Sequence, residues 1–299
     1  MPQAVRLFSS LAVGRIRLRN RLVMEAAPSG LATSEGFCDQ RLQIYYRARA
    51  RGGVGMVVME AMRPLAPSFT TSHLGLYADA YIPGLRDCIT AIHREGAAAL
   101  VMVDQPYAAE DGHPTAIVEA VALAAWRARA AGADGIMLSV AEGSLFPRLL
   151  EPNQGAERLQ ALLHTVETIT KWLGRQCLIG VRVAVEEQLP GGLPLQDARV
   201  LARRLTSVGA GLIEVVVRVG REVPVAQFPG WCVPIASAFK ALIEVPILVG
   251  GQLDDPELAE FTLHDQSADL IAIGERIRDQ PRWPEYAQSV LMNEKDSHP

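Results

Sequence analysis

Three acids and one arginine stand at the ends of short apolar runs. They are Glu25 in LVMEAA, Asp104 in ALVMVD, Glu142 just after GIMLSV, and Arg182 in LIGVRVAV; Ser139 precedes Glu142. Carboxyls grouped with a fixed cation suit proton transfer on a small carbonyl-containing molecule, such as isomerisation, cyclisation, hydration or elimination. Arg182 would hold a carbonyl or carboxylate, and Glu142 would be the general acid. An ionised carboxyl only accepts hydrogen bonds, but one kept protonated by burial can donate. Glu25 reads equally well as a functional acid or as the partner of an internal arginine. The Gly250-Gly251 pair lacks Cβ atoms, so backbone N–H groups there can approach an anion closely.

The elements that must position these residues alternate from end to end. Val/Ile/Leu-rich runs at 22–27, 54–61, 99–104, 135–140, 178–185, 212–219, 246–250 and 270–274 predict eight strands buried on both faces. Helical patterns fall between them near 39–51, 80–95, 115–131, 155–173, 195–208, 232–243 and 255–264, with a last one over 282–292. Eight β-α units predict an α/β fold, a single (β/α)8 TIM barrel over residues 1–299. An open doubly wound sheet would need a Gly-rich phosphate turn after the first strand, and none is present. Residues 6–20 read as an N-terminal hairpin turning at Gly14 and capping the barrel bottom, and 293–299 as a polar, flexible tail. Chemistry in such a barrel sits at the C-terminal strand ends, where the acids and Arg182 fall.

The chain of 299 residues has 29 basic and 33 acidic side chains, a net charge of −4, with no basic cluster, so nucleic acid is not an expected partner. No apolar run of about 18 residues occurs, so no membrane span is expected. The N-terminus lacks the apolar core of a signal peptide. Cys38, Cys88, Cys177 and Cys232 form no CxxC pair, which suggests a reducing, cytoplasmic setting. The histidines are scattered without metal-ligand spacing, so no metal is expected. His113 is the histidine expected near the pocket, and His93 reads as a residue of a helix C-terminus.

Long ordered blocks resemble the Old Yellow Enzyme family, the NADH:flavin oxidoreductases with an FMN-binding barrel. They are LFSSLAVGRIRLRNRLVM, DQRLQIYYRARARGGVGMVVMEA, VPILVGGQLDD and ADLIAIGERIRDQPRWP. The resemblance implies FMN as cofactor with NAD(P)H as reductant. It places Arg182 at the flavin N1/O2 edge and Gly250, Gly251 and Gly274 at the FMN phosphate. It also marks departures. Ser139, Glu142 and Ser144 stand where the family holds a substrate oxygen with two His/Asn side chains and donates a proton from Tyr. Met102 stands where a Gln contacts the flavin, although Gln105 is close enough to take that role. Glu275 follows Gly274 where the family has an Arg for the phosphate, with Arg276 next. The segment QPYAAEDGHP is much shorter than the family's excursion over the active site.

Three readings follow. The leading expectation is a barrel with a degraded FMN site, no cofactor, and acid–base chemistry carried by Glu142, Arg182, Asp104, Ser139 and Glu25. The alternative is an FMN-dependent NAD(P)H ene-reductase acting on a small molecule, with a Glu replacing the Tyr proton donor. The third is a barrel without catalysis. Many family members associate, so a homo-oligomer is an open expectation.

Overall fold

The computed structural model describes residues 5–66, 73–104, 114–140, 144, 146, 155–186, 192–218 and 228–297. The chain opens with an antiparallel hairpin of β1 (Leu11–Val13) and β2 (Ile16–Leu18). Its turn is at Gly14, whose φ of 58° lies in the left-handed region that favours glycine. The parallel strands follow: β3 (Leu22–Met24), β4 (Met56–Arg63), β5 (Leu74–Gly75), β6 (Ala98–Val103), β7 (Gly135–Val140), β8 (Leu178–Val185), β9 (Leu212–Val217), β10 (Ile247–Val249) and β11 (Leu270–Ile273). The helices are α1 (Gln40–Arg51), α2 (Ile82–Arg94), α3 (Pro114–Ala130), α4 (Gly155–Leu173), α5 (Leu195–Ser207), α6 (Val233–Lys240), α7 (Pro256–His264), α8 (Glu275–Asp279) and α9 (Trp283–Ser297).

β3 pairs with β11 on one side and with β4 on the other, so the sheet closes on itself. Among the described residues eight parallel strands complete this ring, and β5 extends only the end of β4. This is the (β/α)8 barrel that the alternation predicts. The eight expected strands appear within a few residues of their expected bounds. The short helix α8 was not expected, and α9 runs on into residues expected to form the tail.

Burial on both faces explains the apolar strands. Val57, Met59, Val101, Ile136 and Leu138 face outward into the layer beneath the helices, which also holds Leu85, Ile89, Val121 and Leu162. Val23, Met56, Val58, Leu100, Met137, Leu212, Leu248 and Leu270 fill the barrel interior. Val13 and Leu18 of the hairpin join that interior cluster, so the hairpin plugs the bottom. Caps fix the helix starts: Asp39 accepts from the N–H groups of Arg41 (2.9 Å) and Leu42 (3.2 Å), and Asp255 accepts from that of Leu258 (2.9 Å). Among the described residues no helix is long and apolar enough to cross a membrane.

His93 lies in the last turn of α2, as expected, and has a specific partner besides the helix end. Its Nε2 is 2.8 Å from Asp134, whose carboxylate also accepts from the N–H of Ala99 (2.8 Å). The bond to Asp134 raises the His93 pKa, against the effect of burial. The protonated form is therefore favoured by folding. Its contribution is complete below about pH 6.5, the unfolded value, and fades as pH rises through the native value. Both side chains are part-exposed, so the effect should stay below about 1 kcal/mol. Relative to His93→Gln, the wild type should lose unfolding free energy from about pH 6.5 upward. Urea denaturation over this range checks it, and parallel profiles would remove His93 from the pH response.

Candidate active site

Alternation along the strands decides which side chains reach the barrel mouth. The interior positions Val23, Met137, Leu212, Leu248 and Ala272 are each followed two residues later by Glu25, Ser139, Glu214, Gly250 and Gly274, whereas on β4 a register shift between Met59 and Met62 breaks the alternation at Glu60. Gly180 is followed in the same way by Arg182. The apolar interior thus gives way to a charged layer at the C-terminal strand ends.

Arg182 is the centre of this layer. Its Nε and Nη2 donate to both carboxylate oxygens of Glu214, at 2.8 and 2.9 Å, from the neighbouring strand in register. Nη2 lies 3.4 Å from Oε1 of Glu25, across the barrel mouth. Burial opposes the charge on Arg182, but Glu214 and then Glu25 and Asp104 outweigh it and hold the guanidinium above its ordinary value. Burial pushes the Glu25 carboxyl up; Arg182 pulls it down, and Glu214 pushes it up again. Burial is the largest of these effects, so the Glu25 carboxyl sits above its ordinary value.

The structure brings together Glu25, Arg182 and Glu214, and places Ser139 opposite Arg182 in the β7–β8 register. Ser139 is buried, as is Ser144 beyond β7. Asp104 follows β6, its N–H bonded to Met62 O (3.2 Å), within electrostatic reach of Arg182. Met102 is buried in the apolar barrel interior, below the layer that carries Asp104. Glu142, Gln105 and His113, with most of the QPYAAEDGHP segment, lie outside the described residues. Glu60 is tied up elsewhere: it accepts from the Ser29 hydroxyl and lies 3.3 Å from the Tyr46 hydroxyl, joining β4 to the loop after β3 and to α1. Arg218 does not pair with Glu214; it bonds Glu186 at 3.0 Å.

A cavity of about 280 Å³ opens at the ends of β10 and β11. Glu25, Gly251, Gln252, Asp254, Gly274 and Arg276 are among the residues lining it. Its size is just below the roughly 300–1,000 Å³ of small-molecule sites, so it suits one end of a nucleotide. Gly251 has φ of 95°, and a Cβ there would lie 2.7 Å from the Cys232 sulfur. A Cβ on Gly274 would lie 2.9 Å from Oε2 of Glu25. Glycine is therefore needed at Gly251, whereas a Cβ at Gly274 would have to displace the Glu25 carboxylate. Arg276 supplies a cation at the rim and is held by Asp254 (2.9 Å). These backbone groups and Arg276 fit a phosphate, and Arg182 fits the electron-rich edge of a flavin.

Glu275 borders the same cavity, but its side chain is 87% exposed and lies 3.6 Å from Arg278. Solvent and Arg278 therefore screen the Glu275 carboxylate at the start of α8, which weakens the expected repulsion of a phosphate. The Asp254–Arg276 pair and the left-handed Gln252 (φ 57°) were not anticipated, because the pairing spans a strand and a helix and Gln carries no signal for that backbone.

The charged mouth thus lies at the C-terminal end of a closed (β/α)8 barrel, beside the cavity lined by Gly251 and Gly274. The sequence matches the NADH:flavin oxidoreductase / NADH oxidase family over residues 6–113 and 115–294, and the chain belongs to that family. It is 27% identical to an NADH oxidase of Thermoanaerobacter brockii over 96% of this chain and 51% of that protein. It is 27% identical to an NADPH dehydrogenase of Halalkalibacterium halodurans over 96% of this chain and 95% of that protein. The chain thus spans about half the length of the first relative and nearly all of the second. In structure it is similar to 2-naphthoyl-CoA reductase in complex with 2-naphthoyl-CoA (TM-score 0.86, 18% identity, 95% of this chain, 52% of that one). It is also similar to morphinone reductase in complex with tetrahydroNAD (TM-score 0.78, 21% identity, 95% and 90%). At these identities the structural likeness speaks to the fold.

Family membership overturns the expectation of a cofactor-free barrel given over to acid–base chemistry. The match runs through both glycine segments and Arg182, and the relatives are an NADH oxidase and an NADPH dehydrogenase. That expectation rested jointly on Met102, Ser139, Glu142, Ser144 and Glu275, of which Glu275 is largely solvent-exposed beside Arg278.

Two substitutions test this geometry. Glu214→Gln leaves Arg182 one neutral amide acceptor and the longer contact to Glu25, and should cost about 3 kcal/mol of unfolding free energy, read by urea denaturation; a loss below about 1 kcal/mol would mean that Glu25 and a neutral acceptor suffice. Gly251→Ala must strain a left-handed backbone and displace Cys232, and should cost about 1–3 kcal/mol. An unchanged melting temperature would show that the cradle tolerates a Cβ.

Proposed function

We propose that the protein is an FMN-dependent NAD(P)H oxidoreductase that reduces an activated alkene on a small molecule. The observation that carries this is Arg182, fixed by Glu214 at the barrel mouth and in contact with Glu25, which also lines the cavity with Gly251 and Gly274. Family membership supports the same reading. When bound, FMN supplies the means to take a hydride from reduced nicotinamide and pass it to an electron-poor double bond.

The chain's own residues then have distinct tasks. Gly251 and Gly274 leave room for backbone N–H groups to meet phosphate oxygens, and Arg276 adds charge. Arg182 presents a charge that does not titrate in the working range, aimed by two bonds to Glu214, so it need not reorganise as charge develops beside it. Ser139, buried at the mouth, offers one hydroxyl donor to a substrate oxygen. The usual Tyr is replaced by Ser144, a poor acid, so Glu142 would deliver the proton to the substrate carbon.

An absorbance spectrum of the purified protein, followed by FMN titration, tests the cofactor. Bound FMN and alkene-dependent NAD(P)H oxidation are expected. A protein that ignores FMN would sink the proposal. Glu142→Gln should slow alkene reduction about 10²–10⁴-fold while leaving bleaching of the flavin absorbance by NAD(P)H unchanged in stopped flow. Full alkene turnover in that variant would remove Glu142 from the proton step.

A further inference from the structure

The wall of the anion cavity contains a carboxyl that an anion site should not have. Oε2 of Glu25 lies 2.9 Å from the position of a Cβ on Gly274 and 3.9 Å from that on Gly250, so it faces the glycine cradle. Glu25 also lines the cavity with Gly251 and Arg276. Its cation is shared on unequal terms: Arg182 makes two bonds of 2.8 and 2.9 Å to Glu214 and only a 3.4 Å contact to Glu25. Arg276 at the rim is already paired with Asp254 at 2.9 Å. With Glu25 ionised, the Glu25–Arg182–Glu214 group carries one net negative charge. With Glu25 protonated it is neutral. A phosphate monoester brings about −1.5 to −2 more.

We propose that Glu25 is a proton-dependent gate of this cavity, so that the phosphate of the cofactor enters together with a proton taken up from solvent by the Glu25 carboxyl. An ionised carboxyl offers only acceptors to phosphate oxygens, whereas the protonated form has one O–H to donate. The proton moves from water to Glu25 on binding and returns on release; no bond to the ligand forms. The groups that face Glu25 agree with this. Arg182 from β8 favours the ionised form, while Glu214 from β9 favours the protonated one. The Cys232 thiol, just before α6, stays neutral because burial pushes it up to about 12. Asp254 and Arg276 at the rim cancel each other, and Asp104 acts on Arg182. Burial raises the Glu25 carboxyl in the same direction.

The inference rests on reading the cavity as the cofactor-phosphate site. Its test is the dissociation constant of FMN, from quenching of flavin fluorescence, between about pH 5.5 and 9 for wild type, Glu25→Gln and Glu25→Asp. Phosphate itself titrates near pH 6, and the Gln variant carries that contribution alone. The wild-type Kd should rise at least about tenfold with pH beyond the Gln variant's profile, by no more than tenfold per unit for one proton. Glu25→Gln should stay tight, and Glu25→Asp should keep a pH-dependent profile. Riboflavin, lacking the phosphate, should show little of this dependence. Parallel profiles for wild type and Glu25→Gln, with FMN well bound, would overturn the gate and leave the proposed function standing. Failure of folded wild type and Glu25→Gln to bind FMN at any pH would overturn both.

Discussion

A guanidinium taken out of water needs its counter-charge within hydrogen-bond reach, and the barrel supplies it from the adjacent strand. The Arg182–Glu214 pair is held by two bonds between residues in register, so barrel closure and site geometry are one constraint. Were β8 and β9 to slip by a single residue, one of the two side chains would leave the barrel interior. The cation is then fixed before any ligand arrives, which is the condition for electrostatic stabilisation without reorganisation.

The interior has a gradient from bottom to top. The hairpin and the lower strand residues make a dry apolar plug, ending in Met102, Met137 and Ala272. Directly above lies the layer with Glu25, Ser139, Arg182 and Glu214. The low-dielectric floor strengthens every charge interaction in that layer and raises the cost of any charge without a partner. Glu60 shows the structural solution to that cost, with Ser29 and Tyr46 as partners. Glu25 shows a different one, because its share of Arg182 is the weaker and a proton offers it an alternative.

The departures from the family pattern have unequal consequences. Glu275 changes the type of residue after β11, but α8 turns its side chain to solvent and toward Arg278. Met102 becomes part of the apolar plug. By contrast Glu25, outside that set of departures, points inward from the end of β3 beside the glycine cradle and so bears on the site itself. A residue's effect on a site is set by the direction of its Cβ, and charge alone is a poor guide to it.

The order and type of the elements were legible in the sequence because both are local. Strands buried on two faces must be continuously apolar, and helices against a barrel must repeat near 3.6 residues, so runs such as GIMLSV and LIGVRVAV identify themselves. The glycine segments and Arg182 stood out through the family resemblance, and the structure places Gly251 and Gly274 on one cavity and Arg182 at the barrel mouth beside Glu25. The family blocks pointed to a flavin, and the altered types at Met102, Ser139, Glu142, Ser144 and Glu275 pointed away from it, because a single chain shows the type of a side chain and hides its direction. Only the tertiary structure decided which carboxyl holds Arg182, where Glu275 points and what Glu25 faces. Arg182 and Glu25 are 157 residues apart in sequence, and their meeting depends on ring closure and strand register. Those are properties of all eight strands together, and no local pattern encodes them.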